Sequence, residues 1–142
     1  MSSIVIFPTQ SHPGDSTPTA VTGEKYKGDG FYSRSDGLHT IQYKITGFIG
    51  TITLEGTLVV DPTEDDWFGV LPNKGIDIEN LAIDTTGKVI STVSDSSTVL
   101  SKTYASSTDI NEVFNFTGNY VWVRAKITNW TDGTINVIRL NH

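Results

Sequence analysis

The sequence contains no cysteine among its 142 residues. Disulfides, thiolate nucleophiles, iron–sulfur clusters and cysteine-based zinc sites are therefore excluded. A chain of this length can bury a core without such cross-links and fits a single domain. The absence of cysteine also favours a protein assembled in a reducing cytoplasm.

Charge is scarce as well, and basic charge most of all. Charged residues make up 18% of the chain, against an average of about 25%. Sixteen acidic residues outnumber ten basic ones, which gives a net charge of −6. Because phosphate binding needs a basic footprint, we expect no nucleic-acid partner.

Long apolar runs are also missing. None approaches the roughly 18 residues of a membrane-spanning segment, so we expect no membrane partner. The first residues, Met-Ser-Ser-Ile-Val-Ile-Phe-Pro, have no charged leader and predict no signal peptide.

Helical periodicity is absent too, whereas strand signals are abundant. No window of 11 residues repeats apolar positions at the i, i+3, i+4, i+7 spacing of a helix. Short apolar-alternating segments rich in Thr, Val and Ile are separated by Gly, Asp and Pro turns. The predicted fold is therefore all-β, a single β-sandwich with jelly-roll connections.

The N-terminal region differs from the rest of the chain. A short strand over 4–7 ends at Pro8, and residues 9–23 hold two prolines and little to bury. A structureless segment of this length is uncommon inside a domain, so we expect an extended arm that is mobile or lies across a neighbouring subunit. The predicted organisation is a strand and arm over 1–23 and a sandwich domain over 24–142.

Residues 118–140 give the clearest strand pattern. The inward positions of a first strand are aliphatic: Val121, Val123, Ala125 and Ile127. Asp132-Gly133 predicts a tight turn, because glycine accepts positive φ without steric cost. A second strand would return through Ile135 and Val137. The pattern therefore predicts a C-terminal β-hairpin.

The outward row of the same segment carries aromatics and cations, which a solvated face does not need. Its members are Tyr120, Trp122, Arg124 and Lys126. Because Trp, Tyr and Arg anchor protein contacts, this row is interpreted first as a subunit interface. The alternative is a sugar-stacking platform, since an exposed indole complements the C–H face of a pyranose. Its candidate residues are Trp67, Trp122 and Trp130.

Residues for catalysis are not arranged in any recognisable constellation. His12, His39 and His142 are scattered along the chain without ligand spacing, and Glu55, flanked by outward threonines, is expected to be solvated. Nucleophile–base motifs and phosphate loops are absent from the sequence. We therefore expect no enzymatic activity, no catalytic residue and no cofactor.

The acidic loop at 61–66 is a candidate calcium site. Asp61, Glu64, Asp65 and Asp66 offer oxygen ligands, but they lack the spacing of a calcium-binding loop. A solvated loop in which Asp66 caps the turn before Trp67 is the preferred interpretation, and no metal site is predicted.

Four segments, in order, support a resemblance to a known family. They are KGDGFYSRSDGLHT at 27–40, TGFIGTITLEGTL at 46–58, DPTEDDWF at 61–68 and GNYVWVRAKIT at 118–128. Together they resemble the β-sandwich structural proteins of tailed-phage virions, especially those of marine myovirus type. In that family a G-T-x-T-L-x-G-T-L strand leads to an acidic loop and W-F, and a Y-V-x-V-R-A strand closes the domain. The resemblance covers residues 26–140.

The resemblance implies a non-enzymatic virion protein, assembled in a host cytoplasm, that decorates or stabilises a capsid or tail. Its partners would be other virion proteins and copies of itself. The motifs are framework motifs, so the resemblance implies no catalytic or metal residue. The alternative function is a carbohydrate-binding module for attachment to host-surface glycans.

Overall fold

The computed structural model describes residues 3–34, 37–70, 82–83, 89–91 and 100–142. The strands are β1 (Ser3–Phe7), β2 (Gln10–Ser11), β3 (Thr19–Thr22), β4 (Tyr26–Lys27), β5 (Leu38–Thr57), β6 (Phe68–Gly69), β7 (Ala82–Ile83), β8 (Val89–Ser91), β9 (Ser101–Thr117) and β10 (Trp122–Asn141). Short 3₁₀ turns lie at Asp29–Tyr32 and Glu64–Asp66, and no α-helix occurs in the described ranges. The prediction of an all-β fold is confirmed.

Two long strands, β5 and β10, form the centre of one antiparallel sheet. They pair from Thr40 opposite Asn141 to Thr57 opposite Trp122. The outer edge of β5 is covered by β9 and, at its end, by β6. The outer edge of β10 is covered by β1, β2, β3 and β4 in succession. β7 and β8 pair only with each other in the described part of the chain.

The predicted C-terminal hairpin is wrong, because β10 passes through Asp132-Gly133 without reversing. The pairing of β10 with β5 shifts register on both sides of Asp132, as it does at a β-bulge. Gly133 has φ +90°, and a Cβ there would lie 2.2 Å from the carbonyl oxygen of Gly47. The glycine therefore permits a close approach of two strands at a bend.

The bend brings opposite ends of the sheet together. A straight strand of 20 residues would span about 66 Å. Instead, the hydroxyls of Tyr43 and Tyr104 hydrogen-bond from opposite sides of the bend. His142 follows the C-terminal end of β10, and Asp29 lies near the N-terminal end of the same strand. His142 Nδ1 is nevertheless 2.8 Å from Asp29 Oδ1. Eight of the described strands belong to one bent sheet, and a sandwich with jelly-roll connections is not confirmed.

The inner face of β10 is buried as its alternation predicts. Val123, Ala125 and Ile127 are fully buried. Beyond the bend, Ile135 is buried but Val137 is only half-buried, because another register shift lies between them. The shift turns Ile138 and Leu140 into the core instead. The core residues are Ile6, Phe7, Ile41, Tyr43, Ile45, Phe48, Ile52, Leu54, Val70, Leu100, Phe116, Val123, Ala125, Ile127, Trp130, Ile135, Ile138 and Leu140.

The arm predicted over 9–23 lies along β10 of its own chain. Ser11 pairs with Thr134, and Val21 pairs with Ile127. Between these strands His12 is nearly buried, with its Nε2 2.9 Å from the carbonyl oxygen of Thr17. This segment completes the edge of β10. The expectation that the arm is mobile or crosses to a neighbouring subunit is therefore corrected.

Candidate functional site

Arg124, itself buried, pairs with the nearly buried Glu55 and the exposed Glu64 near the start of β10. Its side chain is only 6% exposed. The pairing of β10 with β5 sets it opposite Glu55, whose Oε1 accepts a hydrogen bond from Nε at 2.9 Å. Glu64 accepts two more, from Nη1 at 3.1 Å and from Nη2 at 3.0 Å. Two carboxylates therefore satisfy one guanidinium.

Glu64 reaches Arg124 because the acidic loop is ordered by its own turn. Asp66 Oδ2 accepts hydrogen bonds from the backbone nitrogen of Thr63 at 2.7 Å and from its hydroxyl at 3.1 Å. The prediction that Asp66 caps the turn before Trp67 is confirmed. Within the described residues no group of three or more His, Cys, Asp or Glu side chains could hold a metal ion.

The electrostatics of this cluster are those of a neutralised cation. The hydrogen bonds and charge of Arg124 lower the pKa of Glu64. Burial alone would lower the pKa of Arg124, but its hydrogen bonds to Glu64 and Glu55 outweigh that effect and raise it. Glu55, with 15% of its side chain exposed, is not the solvated residue that was predicted. Arg124 is consequently a structural cation and not an outward contact residue.

Trp67 completes the Arg124 cluster. The guanidinium carbon of Arg124 lies 4.1 Å from the centroid of the indole ring. A planar cation over an indole gains from the ring quadrupole. Trp67 is only half-exposed, and its face is used by an internal contact. This geometry argues against Trp67 as a sugar platform.

The prediction that Trp130 stacks on a sugar is wrong. It is 1% exposed, and its indole nitrogen donates to the carbonyl oxygen of Asp132 at 3.0 Å. The rings of Phe48 and His12 lie 6.1 Å and 5.7 Å away. Trp130 therefore packs at the bend, where a large side chain fills the space between strands.

Trp122 is half-buried at the start of β10 and has three contacts around its ring. Its indole nitrogen donates to the carbonyl oxygen of Val60 at 2.8 Å, and the ring of Phe31 lies 5.2 Å away. Lys25 Nζ lies 4.5 Å from its ring centroid. The Trp122 ring therefore holds the ammonium of Lys25 in a cation–π contact.

Of the other two members of the predicted outward row, Tyr120 packs inward and Lys126 contributes its charge near Glu64. Tyr120 precedes β10 and packs against the core, where a Cβ on Gly56 would meet its ring at 2.8 Å. Burial raises the pKa of its hydroxyl. Lys126 is half-exposed on β10, between Thr22 and Thr53. The row Tyr120, Trp122, Arg124 and Lys126 therefore does not form one outward surface.

An apolar run, Leu58–Val60, lies exposed directly after β5. Leu58, Val59 and Val60 are 62%, 41% and 62% exposed. β5 ends at Thr57, whose Oγ1 accepts a hydrogen bond from the backbone nitrogen of Val59 at 3.1 Å. This local bond competes with strand continuation. The run lies beside Trp122 and forms an apolar surface.

A buried polar cluster joins the ends of the sheet, and sequence reasoning missed it. Asp29 is 1% exposed and contacts His142 Nδ1 at 2.8 Å and Arg34 Nη1 at 3.5 Å. His39 Nε2 accepts a hydrogen bond from the backbone nitrogen of Asp29 at 3.2 Å, so its Nδ1 donates to the carbonyl oxygen of Gly37 at 2.8 Å. These histidines are far apart in sequence, and only the bend brings them together.

Comparison with protein-family models, with curated proteins and with solved structures finds no significant match. In the part of the chain that the structure describes, no helix is long and apolar enough to cross a membrane.

Proposed function

We propose that the protein is a non-enzymatic structural subunit of a tailed-phage virion, which decorates or stabilises the capsid or tail through subunit contacts. The observation that carries this proposal is the exposed run Leu58–Val60. Three consecutive exposed aliphatic side chains are unfavourable in water unless another surface covers them.

The surroundings of the run also suit a protein contact. Phe31 and Phe68 are 38% and 42% exposed, and Trp122 joins the run through its hydrogen bond to Val60. Aromatic side chains beside an aliphatic patch are typical of interface cores. The proposed contact surface consists of Leu58, Val59, Val60, Phe31 and Phe68, with Trp122 behind it.

The rigid sheet supports the same role. β5 and β10 pair along their lengths, and both outer edges carry further strands. Virion subunits require stable scaffolds of this kind more than they require mobile loops.

Sedimentation velocity over a concentration series tests the proposal. We expect a defined oligomer that Leu58→Ser with Val60→Ser reduces to a monomer, because polar side chains remove the apolar contact. Val113→Ser is the matched control, since Val113 is 57% exposed on β9 away from this surface. A wild-type protein that stays monomeric and does not co-sediment with phage particles or purified virion proteins would contradict the proposal.

A further inference from the structure

A groove of about 490 Å³ lies between the start of the chain and the start of β10. Its lining residues are Ser3, Ile4, Lys25, Tyr26, Lys27, Tyr32, Trp122 and His142. The groove is distinct from the apolar surface at 58–60, although Trp122 adjoins both. Its volume lies within the range of small-molecule sites.

The side chains that line the groove include cations but no carboxylate. Its lining includes two lysines and a histidine but no Asp or Glu, in a chain whose net charge is −6. Lys25 also lines the neighbouring groove beside Arg124, together with Glu24 and Glu64. Asp29 is buried against His142 and Arg34. Lys27 therefore faces this groove alone, whereas Lys25 lies between a groove without acidic side chains and one that has two.

The two lysines are positioned by aromatic rings. Lys25 Nζ lies 4.5 Å from the Trp122 centroid, and Lys27 Nζ lies 4.4 Å from the Phe31 centroid. Neither forms an ion pair with any residue in the described ranges. A cation–π contact orients an ammonium without neutralising its charge. The groove consequently presents two ordered positive charges that can accept an anion.

The remaining lining suits a sugar. Tyr26, Tyr32 and Trp122 provide aromatic surface, and Tyr32 is 48% exposed. Ser3 and the tyrosines contribute hydroxyls that can exchange hydrogen bonds with sugar hydroxyls. Two lysines match one or two separated anionic groups better than consecutive phosphates, and the acidic surface elsewhere repels a long, densely charged chain.

We propose that this groove binds an acidic saccharide, in which Lys25 and Lys27 contact the carboxylate or sulfate and the aromatic rim contacts the sugar ring. This inference goes beyond the proposed structural role and does not depend on it. It also differs from stacking on Trp67 or Trp130, because the anionic group supplies the recognition.

Isothermal titration calorimetry with four probes of similar length tests the inference. The probes are an oligogalacturonate, a sulfated galactan oligosaccharide, a neutral galactan oligosaccharide and a single-stranded oligonucleotide. We expect binding of at least one acidic saccharide that weakens with salt, and no binding of the neutral one. The first two probes distinguish a carboxylate ligand from a sulfate ligand. Equal binding of the neutral saccharide or of the oligonucleotide would overturn the inference.

Matched variants locate the site. Lys25→Met with Lys27→Met keeps the apolar stems but should weaken binding by about tenfold or more. Lys102→Met is the control, because Lys102 Nζ also lies over an aromatic ring, 5.1 Å from the Phe114 centroid, outside the groove. Unchanged binding in the double variant, or no wild-type binding to either acidic saccharide, would overturn the inference. The Leu58→Ser/Val60→Ser variant should still bind, which separates this test from that of subunit association.

Discussion

Arg124 and Lys25 are cations that lie over tryptophan rings at the same end of the sheet, yet their environments differ. Arg124 is 6% exposed and bonded to Glu55 and Glu64. Lys25 lies over Trp122, with no ion pair to any residue that the structure describes. The comparison separates a cation that stabilises the fold from one whose charge is available for recognition, a distinction that ring contact alone does not reveal.

The largest expected effect is the loss of the buried cation. Arg124→Met would leave Glu55 shielded from water without its partner, which should lower the free energy of unfolding by about 3 kcal/mol. Urea denaturation followed by tryptophan fluorescence measures this change. A loss no larger than that of Lys25→Met would remove the distinction between the two cations.

Neutralising Glu55 as well should restore part of that stability. Because the penalty in Arg124→Met comes from an unpaired carboxylate, adding Glu55→Gln should recover at least about 1 kcal/mol. The double-mutant cycle from urea denaturation gives the coupling energy. If the losses in unfolding free energy are additive, Arg124 stabilises the fold through its contact with Trp67 and not through the ion pair.

Acid should weaken the Arg124 cluster through Glu64. Arg124 lowers the pKa of Glu64 below its ordinary value of 4.5. The ionised form therefore stabilises the folded state above pH 4.5, and this contribution is lost as the pH falls through the folded-state pKa. Comparing the unfolding free energy of Glu64→Gln with that of the wild type from pH 6 to pH 3 isolates the effect. The difference should shrink with falling pH, and a constant difference would count against the ion pair.

The smallest expected effect on stability is that of the groove lysine. Lys25→Met should change the unfolding free energy by no more than about 0.5 kcal/mol, because no buried partner is left unpaired. The same urea titration used for Arg124→Met provides the direct comparison. A loss of several kcal/mol would mean that Lys25 is structural after all.

Local sequence patterns predicted the strands but not how they bend. The alternation at Val123, Ala125 and Ile127 identified a buried face, because side-chain direction in a strand follows from period alone. Asp132-Gly133 led to the wrong prediction of a turn, because a glycine with positive φ occurs in β-bulges as well as in turns. Which of the two forms depends on Gly47, a distant residue on the partner strand.

The candidate site was only partly predictable for a similar reason. The composition of the outward row suggested recognition, but Arg124 is neutralised by residues 60 and 69 positions away. Lys25-Tyr-Lys27 was a usable signal, because alternation can bring two cations to one side of an extended segment. The sequence could not show that these lysines lie beside Trp122. Their position depends on the pairing of β4 with the start of β10, which places Lys27 opposite Trp122.

A heteronuclear NMR titration with oligogalacturonate and the sulfated galactan oligosaccharide shows whether Lys25 and Lys27 form a recognition site. At least one of the two saccharides should shift the Trp122 indole N–H and the amides of Lys25–Lys27, while the amides around Val113 on β9 stay unchanged. No shifts with either saccharide, or shifts spread evenly over the sheet or confined to β9, would contradict the proposed recognition site.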